Sequence, residues 1–303
     1  MGKKPFSGGR STGANQIKDG REAVKKLIKE DDIMRINTNV SALNAYRNLY
    51  DTDMRLNKSL ERLSSGLRVN RAADDAAGLA ISEKMRGQIS GLDQAVRNAQ
   101  DGISLIQTAE GALIETSAIL VRMRTLAVQC ATDTYLDADR ALAQLEIAEL
   151  IDEIDRIASD TEFNKMALLD GTFTTKLFHI GANATQNISV SIDNMDATNL
   201  GVNAVNIDSQ TGADSAITII DGAIEDVAGE RATLGAIQNR LEHTVRNLSV
   251  ASENLSASES RIRDADIALE TIDFTRNQIM LQAGTAMLAH ANIRPQAVLT
   301  LLS

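Results

Sequence analysis

Small and apolar residues recur along residues 74–130 at steps that, from Leu92 onward, alternate between three and four. This spacing predicts one apolar face on a continuous helix, about 80 Å long at about 1.5 Å per residue. Such a helix cannot cover its own face, so the pattern predicts partner helices. The positions are Ile81, Met85, Leu92, Ala95, Ala99, Gly102, Ile106, Ala109, Leu113, Thr116, Leu120, Met123, Ala127 and Cys130.

A helical pattern returns from Ala216, and from Leu234 to Ile272 the three–four spacing continues without interruption, which predicts the main partner helix. A shorter helix over about 138–160 should fold back antiparallel on the first. Its predicted inward positions are Leu142, Leu145, Ile147, Ile151, Ile154 and Ala158. The resulting seam, meaning the apolar contact between the long helices, should include Ile106, Leu113, Leu120, Leu241, Leu248, Leu255 and Ile262.

Both ends of the chain also have helical patterns. Asn37 or Thr38 should cap a helix over 37–63, and Gly66 should end it, with a joint over 66–73. The stretch 273–303 is rich in apolar residues and should pack on the first helix or on another subunit. The apolar positions are Val40, Leu43, Tyr46 or Ala45, Leu49, Leu56, Leu60 and Leu63, then Phe274, Ile279, Met280, Ala283, Met287, Leu288, Val298, Leu299, Leu301 and Leu302.

Strand-like alternation occurs in residues 173–193, in two runs around Gly181-Ala182-Asn183. This pattern predicts a β-hairpin. Residues 194–213 are rich in Asn, Asp, Thr and Gly and are expected to form a surface loop. The segment 171–215 is too short to hold a large inserted domain. The predicted fold is therefore mainly α, a long antiparallel coiled-coil bundle with paired terminal helices and one small β-hairpin region.

Residues 1–33 differ from the rest of the chain. The first 16 are rich in Gly and Ser and should be flexible. No apolar core typical of a secretory signal is present. One interpretation of this segment is a basic arm that binds an acidic surface. The favoured interpretation is an added or mis-started leader that begins before the true start at Met34.

Composition excludes several classes of protein. The net charge of −10 and the 3% aromatic content disfavour nucleic-acid binding. No apolar run approaches the roughly 20 residues of a membrane span. The one cysteine, Cys130, cannot form an internal disulfide and is expected to be a small buried residue.

Motifs for catalysis or for cofactor and metal binding are missing from the sequence. His179, His243 and His290 are scattered, and no HExxH or phosphate-binding glycine loop occurs. Asp74-Asp75 and Asp152/Asp155 fit a helix start and a solvated face better than a catalytic pair. The sequence therefore predicts a protein that is not an enzyme and holds no cofactor or metal.

Three stretches resemble bacterial flagellin. LERLSSGLRVNRAADDAAGLAISEKMRGQISGLDQAVRNAQDGISLIQTAEGAL at 60–113 is similar to the amino-terminal signature of that family. EIDRIASDTEFNKMALLDG at 153–171 resembles its second helix and turn, and residues 234–270 its carboxy-terminal signature. Met34-Arg35-Ile36-Asn37-Thr38-Asn39 resembles the family's usual start.

The resemblance implies a structural subunit that polymerises into the extracellular flagellar filament, exported by the type III apparatus without signal cleavage. Residues 34–65 and 273–303 would then form an inner tube, and 74–170 with 216–272 a helical shell. Implied partners are other copies of the chain, an export chaperone at 279–302, and hook-associated junction and cap proteins. Implied inner-tube contacts are Val40, Leu43, Leu49, Leu56, Leu60, Ile279, Met287, Val298, Leu299 and Leu302.

The stretch RMRTLAVQ at 122–129 resembles the family's contact with a vertebrate Toll-like receptor. That resemblance places Arg122, Leu126 and Glu146 at matching positions, although Thr125 stands where many members carry Glu. Axial contacts between subunits are the alternative role of these residues. A hook–filament junction protein and a cytosolic coiled-coil adaptor are the alternative functions.

Overall fold

The structure, a computed structural model, describes residues 38–302, and the side chains as far as residue 293. The predicted leader 1–33 and the side chains of Val298, Leu299 and Leu302 lie outside this description. Two compact units are present: a central unit, Arg71–Asp264, and a terminal unit whose described residues are 38–70 and 265–302.

The described residues are mainly helical, as predicted. The helices are α1 (Val40–Ser65), α2 (Ala76–Cys130), α3 (Asp137–Asp160), α4 (Gln210–Arg263) and α5 (Ile267–Leu302). The strands are β1 (Glu162–Phe163), β2 (Met166–Ala167), β3 (Lys176–His179) and β4 (Asn187–Val190), and they form two antiparallel pairs, β1–β2 and β3–β4.

Helix α2 confirms the long helix predicted from the three–four spacing. Asp75 caps it by accepting a hydrogen bond from the Gly78 amide at 2.8 Å. From Leu92 to Cys130 every predicted seam position is buried. The prediction was wrong for Ile81, which is 47% exposed. In that first part of α2 the small residues Gly78 and Ser82 are buried instead.

Helix α3 is rotated relative to the sequence prediction. Ile147, Ile154 and Ala158 are buried as expected, but Leu142 and Leu145 are 67% and 65% exposed, so their inward assignment was wrong. The cause is Arg140, whose guanidinium donates to the carbonyl oxygens of Cys130 and Thr132. Those bonds turn the Arg140 face inward, and the two leucines lie off that face.

The predicted hairpin is confirmed by β3 and β4, which pair with Phe178 opposite Ile188. The prediction of a surface loop over 194–213 was wrong for most of its length. Six apolar side chains of residues 194–209 are buried: Met195, Ala197, Leu200, Val202, Val205 and Ile207. Gln144 of α3 holds the segment by donating to the Val205 carbonyl at 3.2 Å and accepting from the Ile207 amide at 2.8 Å.

Helix α4 has different ends from those predicted. It begins at Gln210, where Ser209 caps it, rather than near Ala216. It ends at Arg263, because Asp264 adopts an extended conformation with ψ 147°. Asp266 then starts α5 by accepting from the Ala268 amide at 2.9 Å. The predicted boundary between 272 and 273 was therefore misplaced, because the three–four spacing continues across the break.

The terminal unit consists mainly of α1 and α5, packed antiparallel. Asn39, rather than Asn37 or Thr38, caps α1, and its side-chain amide donates to the Ala291 carbonyl at 2.8 Å. Gly66 ends α1 as predicted, in the left-handed conformation with φ 72°. The helices approach closely at Gly284, where a Cβ would lie 3.0 Å from Leu49 Cδ1.

Candidate assembly surfaces

The seam between α2 and α4 lies inside the central unit. Ile106, Leu113, Leu120 and Leu241 have no exposed surface, and Leu248 is 8% exposed. The last two predicted members, Leu255 and Ile262, are only half-buried. These contacts hold one subunit together, and the seam is closed to other copies along most of its length.

Polar pairs beside this seam join the two antiparallel helices. Arg124 Nε donates to Asp221 Oδ1 at 2.6 Å, and this bond raises the pKa of the guanidinium. Arg263 lies 2.8 Å from Glu83, and Ser252 donates to Asp93 at 2.9 Å. The strongest of these bonds are charge-assisted but exposed, so they add little stability.

Helix α1 has two different faces. Leu49 and Leu56, two of the predicted inner-tube residues, are half-buried on the side that meets α5, together with the buried Thr52 and Ser59. The rest of the helix surface has large apolar side chains that remain 46–60% exposed: Val40, Leu43, Tyr46, Tyr50, Met54 and Leu60. These side chains form the outward face of α1, an apolar surface without a partner among the described residues of the subunit.

Helix α5 has the same division. Its half-buried row, towards α1, is Phe274, Asn277, Leu281, Gly284, Leu288 and Ala291. Its exposed apolar side chains are Ile267, Leu269, Ile272, Ile279, Met280, Met287 and Ile293, with Ile279 66% and Met287 63% exposed. Tyr50, Met54 and Ile293 were missed as assembly candidates, although Tyr46, Tyr50 and Met54 follow each other at steps of four.

The three residues predicted to contact an innate receptor do not share one surface. Arg122 and Glu146 form an exposed ion pair, with Nη2 2.6 Å from Oε1. Leu126 is 4% exposed and belongs to the core of the central unit. A direct receptor contact through the Leu126 side chain was therefore a wrong assignment, whereas the ion pair is accessible.

Cys130 is buried, whereas the three histidines are exposed. Burial raises the pKa of the Cys130 thiol, with Arg140 acting in the opposite direction, so the neutral thiol is favoured. His179, His243 and His290 are exposed and far apart along the chain. Within residues 38–302 no three His, Cys, Asp or Glu side chains are arranged to hold a metal.

Helices of the described part of the chain also lack the combined length and apolar character that crossing a membrane requires. Helices α1 and α5 carry the exposed apolar faces described above.

Comparison with known proteins identifies these helices. Residues 36–174 match the model of the bacterial flagellin N-terminal helical region, and residues 217–302 match that of the C-terminal helical region. The chain belongs to the bacterial flagellin family. It is 54% identical to a flagellin of Halalkalibacterium halodurans over 89% of this chain and 100% of that protein.

A Bacillus subtilis flagellin is 51% identical over the same shares of the two chains. The crystal structure of Bacillus cereus flagellin is 35% identical, over 54% of this chain and 94% of that one, with a TM-score of 0.45. As a flagellin, the protein is a structural subunit of the flagellar filament and serves motility.

Proposed function

We propose that polymerisation is driven by burial of the outward apolar faces of α1 and α5 between neighbouring subunits. The observation that carries this proposal is the exposure of large apolar side chains on both helices, such as Leu43 at 54% and Ile279 at 66%. Soluble monomers rarely keep contiguous apolar faces of this extent without a partner.

Each of these faces lies outside the contact between α1 and α5. The pair can therefore keep its internal packing at Leu49 and Gly284 while its outer surfaces meet other copies. Burying a large apolar side chain contributes about 1.5–3 kcal/mol. Several such side chains per subunit contribute together to the intersubunit contact, and we propose that they line the inner tube of the filament.

A charge placed on this face tests the proposal. In Ile279→Glu the carboxylate stays hydrated in the free subunit but would lose water in the filament, so polymerisation should fail while the helical circular dichroism is unchanged. The matched control is Gln278→Glu, which adds the same charge at the neighbouring exposed position. Filaments of normal length from Ile279→Glu, seen by electron microscopy, would contradict the proposal.

Removal of residues 273–303 tests the division into units. We expect this truncated chain to form no filaments, because most of α5 is lost. The central unit has its own buried core, so protease resistance of residues 71–264 should persist. Filaments from the truncated chain would exclude an essential role of α5 in the tube.

The finer partnerships of the subunit are proposals that rest on family resemblance. We propose export by the type III apparatus, chaperone binding to residues 279–302, and contacts with hook-associated junction and cap proteins. Pull-down of a flagellar chaperone by the full chain but not by a chain lacking 279–302 would support the second of these.

We also propose that the exposed Arg122–Glu146 pair takes part in recognition by a vertebrate Toll-like receptor. Arg122→Ala should reduce signalling in receptor-bearing reporter cells, whereas Arg156→Ala, another exposed arginine paired with carboxylates, should not. Equal signalling by wild type and Arg122→Ala would exclude this role.

A further inference from the structure

An acidic side chain occupies a core position in helix α4. The face of α4 that meets the rest of the central unit carries Ala213, Ala216, Ile220, Ala223, Val227, Glu230, Leu234 and Leu241, all buried. Glu230 is 9% exposed, and its Oε1 has no hydrogen-bond partner among the described residues. Arg140, the other buried charged side chain in the described part, has three partners.

The charges around Glu230 do not compensate this burial. Asp193, in the segment after β4, is a negative charge that disfavours ionisation of Glu230. Only the hydrogen bond from the Asp193 backbone favours the Glu230 carboxylate. The next residue on α4, Arg231, pairs with Glu110 of α2 at 3.6 Å. On α2, beside that pair, Leu113 and Thr116 are buried and uncharged.

We propose that Glu230 is a proton-responsive position in the core of the central unit, at which the neutral acid supports the packing of residues 191–209 on α4 and the carboxylate weakens it. The buried apolar side chains of that segment, such as Ile192 and Met195, pack into the same core cluster as Val227 and Leu234. Repulsion between Glu230 and Asp193 therefore acts directly on the attachment of the segment.

The direction of the pH effect follows from the pKa. Burial, and then the charge of Asp193, raise the pKa of Glu230 above its ordinary value. When the pKa is higher in the folded than in the unfolded state, folding is favoured at low pH. That contribution is lost as the pH rises from the unfolded-state pKa, about 4.3, through the folded-state pKa.

Urea unfolding of full-length monomeric subunits tests the proposal. Glu230→Gln keeps the shape and removes the charge, so its midpoint should exceed that of the wild type near pH 8, and the two should converge near about pH 3.5. Glu225→Gln is the matched control, an exposed glutamate on the same helix, and it should show no such pH-dependent gain. Asp193→Asn should give a smaller gain with the same sign.

A second measurement follows the titration of the carboxyl group directly. Carboxyl carbon NMR of glutamate-labelled wild-type monomer should show one glutamate that titrates above its ordinary pKa and that is missing in Glu230→Gln. Hydrogen exchange in residues 191–209, corrected for the intrinsic effect of pH, should become faster as this group ionises. A Glu230 titration at or below about 4.3, or an equal midpoint difference at both pH values, would overturn the proposal.

Discussion

Arg140 Nε donates a hydrogen bond to the carbonyl oxygen of Cys130 at 2.9 Å. Through this bond the first turn of α3 holds the last residue of α2. The same guanidinium donates to the Thr132 carbonyl at 3.0 Å and pairs with Asp137 at 2.7 Å. A buried arginine thus supplies the donors that carbonyl groups at the end of a helix lack.

Replacing Arg140 by Met should therefore destabilise the subunit. Met fills similar space but leaves the Cys130 and Thr132 carbonyls without their donor, so we expect a loss of about 2–4 kcal/mol in urea unfolding. Arg156→Met is the control, because Arg156 is exposed and should change the midpoint little. An equal effect of the two substitutions would contradict the anchoring role of Arg140.

Two glycines of α2 should respond oppositely to alanine. A Cβ at Gly91 would lie 3.1 Å from Ala182 Cβ and 3.2 Å from Ala182 Cα, in the loop between β3 and β4, whereas Gly111 has open space around it. Gly111→Ala should stabilise the subunit by about 0.5–1 kcal/mol through helix propensity.

In Gly91→Ala the loop between β3 and β4 must move, so we expect a net loss of stability in the same thermal unfolding assay. A gain that equals that of Gly111→Ala would show that this close contact carries no strain.

Neighbouring positions on α3 test its observed rotation. Ile147 has no exposed surface, whereas Leu145 is 65% exposed. Ile147→Gln buries an amide without a partner and should cost about 3 kcal/mol or more, while Leu145→Gln should change the free energy of unfolding by less than about 0.5 kcal/mol. The reverse order in urea unfolding would support the inward assignment of Leu145.

Asp170 should contribute to stability only above acidic pH. Hydrogen bonds from the Thr172 hydroxyl, at 2.7 Å, and from the Thr172 amide lower the pKa of Asp170. A carboxyl group whose pKa is lower in the folded than in the unfolded state stabilises the protein at pH values above its ordinary pKa. That stabilisation is lost as the pH falls through the folded-state pKa. Asp170→Asn should therefore lower the urea midpoint near neutral pH and have little effect below about pH 3.

The matched variant for this experiment is Asp152→Asn, which removes an exposed carboxylate of α3. If its pH profile were the same as that of Asp170→Asn, the turn at Asp170 would not be the source of the effect.

Leu43→Ala should separate subunit stability from filament stability. Leu43 is 54% exposed in the subunit, so the free energy of unfolding should change by less than about 0.5 kcal/mol. If the filament buries this side chain, its removal costs about 2–5 kcal/mol there, and the critical concentration should rise at least about tenfold.

Sedimentation of polymer from free subunit measures that concentration, and Asn44→Ala is the control on the same exposed turn of α1. An unchanged critical concentration for Leu43→Ala would place this residue outside the intersubunit contact.

The three–four spacing of apolar residues predicted the long helices well, because an uninterrupted seam repeats that spacing many times. The positions from Leu92 to Cys130 are buried as the spacing predicts. Short segments were predicted less well. Leu142 and Leu145 fit an inward face by pattern, but the orientation of α3 depends on bonds that Arg140 makes to the end of α2.

Residues 194–209 show a different limit of sequence analysis. Their polar composition is typical of a surface loop, yet six apolar side chains within it are buried against the helices. The apolar residues of the segment have no regular spacing that would reveal this burial, because the segment forms neither a helix nor a strand. Asp155, for example, holds the segment by accepting from the Ala197 amide at 2.8 Å.

The sequence by itself determined the helical character, the seam between α2 and α4, the hairpin and the family, because each is encoded by a repeated local pattern or a long motif. Only the tertiary structure decided where α4 ends and α5 begins, which side of α3 faces inward, and that Glu230 and Arg140 are buried. The physical reason is that these features depend on hydrogen bonds and packing between residues far apart in the chain, such as Ala265 donating to Gly66 at 2.9 Å.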